Sequence, residues 1–403
     1  MNKEKIKNNI KYSAIQGLSW MDFCAIVGFA ATYLSIRGYS STEIGVILAA
    51  DNIISLIIQP FLADLADRSS KFSVVRILSA LFGIMAVCAI VISLTDTKCL
   101  LIAVLYAIMA GMMNASGGFS ISLQFLMGSG ESKVNFGICR AVGSLCYAIL
   151  ASVLGTMVEK ISENCIPVSI AIISALFFLM MMMIARRRGS LRSRKEDTSK
   201  GHTLREFIRL NPKFIWMMLA AAMLFFEQTL LNNFMIMIVE NVGGGSAEMG
   251  YLSAVTAVLE LPCMIFFSRL AKKFRCSTLL MFSIIMFGVK GFATLFATNM
   301  IMLFMAYAIQ FFAFALYTPA IVYYAELTVA KEDTVKAQSG FNLVSSLGAV
   351  FSSVLGGLLI DNIGVSYTIL VAAIVASAGA VIAVFALQQT GSARAGKEVI
   401  DGR

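Results

Sequence analysis

The stretch IGVILAADNIISLIIQPFLADLADRSSKF, from Ile44 to Phe72, shows the plan on which the whole chain is built. An apolar run is followed at once by a short loop rich in charged residues. Runs of this kind recur along all 403 residues, of which 59% are apolar and only 14% charged, with a mean hydropathy of +0.83. About twenty apolar residues are enough for an α-helix to cross the hydrocarbon core of a bilayer. The sequence therefore predicts a polytopic membrane protein.

Apolar runs bounded by charged residues, Gly or Pro predict twelve transmembrane helices. The pattern argues against a membrane β-barrel, because the strands of a barrel alternate apolar and polar residues in segments of about ten residues. The predicted fold class is an all-α membrane protein with twelve helices in two six-helix bundles. The predicted spans are 12–36, 43–62, 73–94, 98–126, 136–158, 164–185, 213–240, 248–268, 277–297, 299–325, 335–359 and 365–388.

Basic residues alternate between successive loops, so the net charge of +9 indicates topology rather than a nucleic-acid partner. Lysines and arginines precede the first predicted span and follow the second, sixth and eighth. On the opposite side we find only Arg37, Lys98 and Lys160. Loops that carry excess Lys and Arg stay in the cytoplasm. We expect a multi-pass protein of the cell membrane with both termini cytoplasmic.

One long hydrophilic stretch divides the twelve predicted helices into six and six. The predicted domains are an N-terminal bundle at 1–185, a cytoplasmic linker at 186–211, and a C-terminal bundle with its tail at 212–403. The other loops are too short for a soluble catalytic domain. His202 is the only histidine, and the sequence has no nucleotide-binding loop or Cys/His metal set. We therefore expect neither an enzyme nor a metal or cofactor.

Three charge-bearing residues, Glu227, Glu260 and Lys290, each lie near the middle of an apolar span. A charge at that depth is costly, and such residues usually line a pathway for solutes or protons. Burial favours the neutral form of a carboxyl group, whereas a nearby cation favours the carboxylate. A proton-coupled transporter needs such a switch, with Glu260 as the preferred proton carrier. The alternative is a fixed structural ion pair.

Uncharged and acidic polar residues within the spans are candidate solute ligands. Asp22 and Asp51 lie near mid-depth of the first two spans, and each either lines a cavity or makes a local polar contact, for instance with Asn52. The amide residues offer hydrogen bonds suited to a hydroxylated solute, although hydrogen bonding between helices explains most residues of this type. The amide candidates are Gln124, Asn232, Asn233 and Gln310.

Ile44 to Asp67 resembles the second helix of lactose permease and its relatives in the major facilitator superfamily. The following loop, ADLADRSSKF from Ala63 to Phe72, is similar to the superfamily signature G-x-L-A-D-R-x-G-R-K, with Ala63 and Ser70 in place of its glycines. The resemblance implies two bundles that alternate access to a central site. It also implies a cytoplasmic gate formed by the matching charges, which are Asp67, Arg68 and Lys71.

The segment NFGICRAVGSLCYAILASVLG, from Asn135 to Gly155, resembles the fifth helix of the oligosaccharide symporters. The resemblance implies that Arg140 binds substrate hydroxyl groups and that Tyr147 stacks on a sugar ring. Independently of any family, the two residues are about two helical turns apart and so share one face. The branch's acidic residue in span four corresponds to Gln124. The branch's histidine and glutamate in span ten correspond to Gln310 and Ala313. Its arginine in span nine corresponds to Lys290.

These observations predict a secondary active transporter, namely a proton-coupled symporter that imports a small polar organic solute such as a saccharide, glycoside or nucleoside. The resemblance further implies a monomer in the lipid bilayer, with the proton as the coupling ion. Two alternatives remain. One is a proton-coupled efflux antiporter, although Gly143 to Gly155 lacks the Gly-Pro signature of drug antiporters. The other is a membrane receptor or scaffold that transports nothing.

Overall fold

The computed structural model describes residues 3–68, 73–127, 134–188 and 203–387. These residues form sixteen α-helices joined by short connections. The helices are α1 Lys3–Phe23, α2 Ala30–Ile36, α3 Ser41–Arg68, α4 Val74–Ser93, α5 Leu100–Met127, α6 Phe136–Lys160, α7 Cys165–Arg188, α8 Leu204–Leu210, α9 Pro212–Asn233, α10 Met235–Asn241, α11 Ser246–Lys273, α12 Cys276–Leu295, α13 Met300–Ala308, α14 Phe314–Thr328, α15 Thr334–Ile363 and α16 Val365–Ala386.

Sixteen helices form twelve spans because three predicted spans are broken and one short helix, α8, precedes α9. The first span changes to a π-helical turn at Cys24–Gly28 and bends by 41° before α2. The seventh breaks at Phe234, between α9 and α10. The tenth contains a 3₁₀ turn at Ile309–Phe311, between α13 and α14. Breaks at membrane depth occur where neighbouring helices or a cavity can satisfy the freed backbone groups.

Ten helical segments in the described part of the chain are long and apolar enough to cross a membrane, or eleven when α1 and α2 count as one bent span. Helix α11 supplies the twelfth span. It has 28 residues and extends about 42 Å at the usual rise of an α-helix. The prediction of twelve helices is confirmed, and each predicted span overlaps a helix or a broken helix.

The helices group into two compact units. The first contains α1 to α7 and the beginning of α11, Gly245–Val258. The second contains α8 to α10, the rest of α11 from Leu259, and α12 to α16. The predicted linker at 186–211 falls largely on residues 189–202, which lie outside the described residues.

In the first unit, α1 packs on α6, α3 on α5, and α4 on α7. Phe82 of α4 stacks on Phe177 of α7 with ring centroids 3.6 Å apart, and both side chains are buried. At one end of this unit the Arg37 guanidinium group donates to the backbone carbonyl of Asp96 and to Asn164 Oδ1, and it lies 3.5 Å from Glu163 Oε1. Arg37 therefore joins three inter-helix loops.

In the second unit, α9 packs between α15 and α16, and α12 packs on α16 and α14. Gly348 of α15 lies against the backbone of α9, where an added Cβ would come within 2.5 Å of the Ala222 carbonyl oxygen. Close approach through small residues is a common way in which membrane helices pack. The tight packing of α9 fixes the polar residues that this helix contributes to the site.

Candidate functional site

Lys290 is the centre of a polar cluster in the second unit. Its side chain is fully buried in α12. The Nζ atom donates hydrogen bonds to Gln228 Oε1 at 2.8 Å and to Gln310 Oε1 at 2.7 Å. The ammonium group also lies 5.4 Å from the centroid of the Tyr307 ring, within the range of a cation–π contact. Neutral side chains thus replace much of the water that this cation would have outside the membrane.

Gln310 connects Lys290 to Glu260. Its side chain is 2% exposed and belongs to the 3₁₀ turn that interrupts the tenth span. While Oε1 accepts from Lys290, Nε2 donates to Glu260 Oε1 at 3.2 Å. The amide therefore points its negative end at the cation and its positive end at the carboxylate. One side chain thus links two charges, Glu260 and Lys290, that lie thirty positions apart in the sequence.

Glu227 has a different environment from Glu260. It is fully buried in α9, directly before Gln228, and neither carboxylate oxygen accepts a hydrogen bond from the described residues. Glu260 is half-buried on α11. Both carboxyl groups interact electrostatically with Lys290. The structure thus brings the three predicted proton-coupling residues into one region, but the hydrogen bonds of Lys290 go to glutamine amides.

The two asparagines at the end of α9 lie where the seventh span breaks. Asn233 donates from Nδ2 to Ser353 Oγ at 2.9 Å, whereas Asn232 is exposed. The adjacent Leu231 carbonyl accepts a hydrogen bond from the Tyr307 hydroxyl group at 2.9 Å. Asn233 therefore joins α9 to α15, whereas the Asn232 side chain is exposed at the surface of the second unit.

Arg140 and Tyr147 form a second cluster, in the first unit, together with Trp20. The Arg140 guanidinium carbon lies 3.7 Å from the Trp20 ring centroid, and NH1 donates to Ser144 Oγ at 2.6 Å. The Trp20 and Tyr147 rings meet at 65° with centroids 6.4 Å apart. All three side chains are only partly buried. The cluster offers a planar cation and two aromatic rings on neighbouring faces of α1 and α6.

A ladder of hydrogen bonds on α1 holds Trp20 in position. Trp20 Nε1 donates to Gln16 Oε1 at 3.2 Å, Gln16 Nε2 donates to Tyr12 Oη at 2.8 Å, and the Tyr12 hydroxyl donates to the Ser120 carbonyl at 3.1 Å. Gly143 lets the indole approach α6, since an added Cβ there would lie 2.7 Å from Trp20 Cδ1. The orientation of the ring is thus fixed from both helices.

Comparison with known proteins identifies the family of this chain. The sequence profile of the MFS_1 like family matches residues 18–371. The chain belongs to this family. It is 22% identical over 379 residues to the uncharacterized transporter YwbF of Bacillus subtilis (strain 168), an alignment that covers 91% of each chain. This MFS_1-like protein is therefore a multi-pass membrane transporter of the major facilitator type.

Solved structures share the fold of this MFS_1-like protein. A mutant of the nucleoside transporter NupG matches with a TM-score of 0.80 at 13% identity, covering 94% of this chain and 100% of that one. A bacterial homologue of the human lysosomal transporter Spinster matches with a TM-score of 0.71 at 14% identity, covering 96% and 97% of the two chains. These likenesses confirm the predicted twelve-helix fold.

The two predicted aspartates of this MFS_1-like protein are both buried in the first unit. Asp51 is 2% exposed, and its Oδ1 atom accepts from Asn52 at 2.7 Å and from Asn114 at 3.5 Å. The predicted contact with Asn52 is thus observed. Asp22 is fully buried and accepts a hydrogen bond from Ser174 on α7.

The remaining predicted residues are only partly described. Gln124 is half-buried on α5. Asp67 and Arg68 form the end of α3. Lys71, the third residue of the predicted cytoplasmic gate, lies outside the described residues.

Sequence reasoning missed Gln228 and Trp20 as site residues. Gln228 directly follows Glu227 in an apolar span, and a polar residue beside a buried acid is itself a signal. Trp20 is one of only two tryptophans in the chain and lies one helical turn after Gln16. The spacing of Tyr12, Gln16 and Trp20 could have indicated the ladder, but nothing in the sequence shows which helix Trp20 faces.

Proposed function

We propose that this protein is a secondary active transporter that imports a small polar organic solute together with protons, by alternating access. The single observation that supports proton coupling best is Glu227, a fully buried carboxyl group without a hydrogen-bond donor among the described residues, close to the Lys290 cluster. A buried carboxylate that accepts no hydrogen bond is strongly unfavourable even with a cation nearby, so the group takes up a proton instead.

Glu227 is the proton carrier in this proposal, whereas the sequence favoured Glu260. Lys290 is bound by Gln228 and Gln310 and does not neutralise Glu227 through a direct hydrogen bond. If the cluster rearranges so that Lys290 or water reaches Glu227, the carboxylate becomes favourable and the proton leaves. Glu260, linked to Lys290 through Gln310, is the alternative partner for the cation.

The solute is proposed to bind at the Arg140 cluster. A guanidinium group can donate several hydrogen bonds in one plane to the oxygen atoms of a solute. The partly exposed rings of Trp20 and Tyr147 can stack against a sugar or base ring. This chemistry suits a saccharide, a glycoside or a nucleoside, and the fold shared with a nucleoside transporter adds nucleosides to the panel to be tested.

The other features of the proposal follow the sequence. The protein works as a monomer in the cell membrane, with both termini and the 186–211 linker cytoplasmic. Asp67, Arg68 and Lys71 form the cytoplasmic gate. The domains are the two bundles at 1–185 and 212–403, and the transporter needs no cofactor beyond the coupling proton.

The first test measures extracellular pH in weakly buffered, energy-depleted cells that receive pulses of sugars, glycosides and nucleosides. We expect alkalinisation with one solute class in the wild type and its loss in Glu227→Gln. Glu43→Gln is the matched control, because Glu43 is a half-exposed carboxylate paired with Lys98 at 2.6 Å. Full alkalinisation in Glu227→Gln would contradict the assigned proton carrier.

The same cells distinguish import from export. Cells are preloaded with solute and diluted into solute-free medium. A symporter running in reverse carries protons out together with the solute, so we expect the medium to acidify. Alkalinisation outside under these conditions would instead indicate that solute leaves in exchange for entering protons. That result would replace the symporter with the efflux antiporter.

A further inference from the structure

Asp22 is a second buried carboxyl group, and the mechanism above does not use it. It lies on α1 in the first unit, and its side chain has no exposed surface. Oδ2 accepts a hydrogen bond from Ser174 Oγ of α7 at 2.5 Å. Oδ1 accepts none from any described residue. Within the described ranges, the Ser174 hydroxyl group is therefore the only hydrogen-bond donor to this carboxyl group.

The helices packed against α1 bring no cation to Asp22. Helix α7 carries no charged residue from Cys165 to Ala185, and α5 has Tyr106 as its sole titratable group. The titratable groups of α6 are Cys139, Arg140, Cys146, Tyr147, Glu159 and Lys160.

The one cation of α6 near α1 is already engaged elsewhere. The Arg140 guanidinium group stacks on Trp20 and binds Ser144. In the π-helical turn the only titratable group is the Cys24 thiol, which hydrogen-bonds to Tyr147. On α1 itself, Lys11 is the nearest lysine before Asp22, about 16 Å away at the rise of an α-helix. Burial thus acts on Asp22 without a compensating positive charge.

Burying an ionised carboxylate without a cation costs more free energy than a single hydroxyl donor can recover. The neutral acid avoids the cost. We propose that Asp22 is a second proton-binding group of this protein, separate from the Lys290 cluster, and that it holds its proton in the conformation described here. The ligand of the site is the proton itself.

The position of Asp22 provides a way to release that proton. Only Phe23 separates it from the π-helical turn Cys24–Gly28, after which the chain bends by 41°. Interruptions of this kind often mark functional sites, and they leave backbone groups that water can reach when the packing changes. A change at this bend that admits water next to Asp22 would favour the carboxylate and discharge the proton. The use of this proton in transport rests on the proposed function.

Infrared spectroscopy of the purified, lipid-reconstituted full-length protein tests the proposal without a known solute, because a protonated carboxyl group has its own C=O stretching band. We expect Asp22→Asn to remove one such band at neutral pH. Ser174→Ala, which deletes the hydrogen-bond partner, should shift the same band to higher frequency. Glu43→Gln, which removes a half-exposed carboxylate paired with Lys98, should leave all bands in place.

An unchanged set of bands in Asp22→Asn would overturn the proposal. A band in the wild type that Ser174→Ala does not shift would overturn its assignment to the Asp22–Ser174 pair. For the role in transport, we expect Asp22→Asn to lower the number of protons that accompany each solute molecule, and an unchanged ratio would overturn that role. Failure of the proposed function would instead appear as solute uptake without proton movement in the wild type, whatever the infrared result.

Discussion

Replacing Gln310 by leucine tests the central link of the site. The change keeps the size of the side chain nearly constant, but it removes the Oε1 acceptor from Lys290 and the Nε2 donor from Glu260. A hydrogen bond to a charged group contributes about 1.5–3 kcal/mol, whereas hydrogen bonds between membrane helices average about 0.6 kcal/mol. Both lost bonds involve charged groups, and one of these groups is fully buried. We therefore expect the free energy of unfolding to fall by about 2–4 kcal/mol.

Gln228→Leu and Gln124→Leu provide a graded comparison. Gln228→Leu removes only one acceptor from Lys290, so we expect a smaller loss of about 1.5–3 kcal/mol. Gln124 is half-buried and its change to leucine should have little effect. The predicted order of destabilisation is therefore Gln310→Leu, then Gln228→Leu, then Gln124→Leu.

The chain contains its own reporter of unfolding. Five of its free cysteines are buried, and a thiol-reactive fluorescent dye gains signal as they become exposed. In detergent, Gln310→Leu should lower Tm by about 5–10 °C relative to the wild type. A Tm for Gln310→Leu equal to that of Gln124→Leu would refute the reasoning, because it would mean that the amide bridge contributes nothing to stability.

Three further predictions concern other parts of the structure. Trp20→Ala removes the cation–π contact to Arg140, worth about 0.5–2 kcal/mol, so the KM for uptake should rise about 2- to 30-fold while Trp20→Phe stays near the wild type; equal KM values for both variants would contradict the stacking role. Gly348→Ala places a Cβ 2.5 Å from the Ala222 carbonyl oxygen and should cost about 1–3 kcal/mol, whereas Gly117→Ala, with open space around it, should leave the dye-measured Tm unchanged. Arg37→Ala removes the contacts that join three loops and should lower Tm more than Lys98→Ala, whose ion pair is 41–45% exposed; the reverse order would show that the Arg37 contacts add no stability.

The number and order of the membrane spans could be predicted from the sequence, since each span is an apolar run of sufficient length. The breaks could not. Nothing in the run from Tyr12 to Ile36 distinguishes the π-helical turn at Cys24 from continuous helix, because the turn depends on how α1 packs against α6 and α7. Likewise, the 3₁₀ turn that holds Gln310 lies within an apolar run that reads as one helix.

The site could be predicted at the level of its residues but not of its contacts. Depth within a span is readable from the sequence, and it placed Glu227, Glu260 and Lys290 at similar depth, in the region where the structure brings both glutamates near Lys290. The partners of Lys290 depend on the rotation of α9 about its axis and on the 3₁₀ turn between α13 and α14, which no single sequence shows. The expected ion pair is therefore replaced by two amides, and the least hydrated acid is Glu227 rather than Glu260.

The Arg37 contacts also determine how the loops at one end of the first unit open. A guanidinium group that is 6% exposed holds the loops containing Asp96 and Asn164 to its own loop, so these loops cannot open one at a time without breaking shared bonds. Their amide protons should exchange with a common opening free energy, unlike those of independent surface loops. A binder selected against these loops would therefore recognise one joined surface, and it could count molecules of this transporter in the membrane.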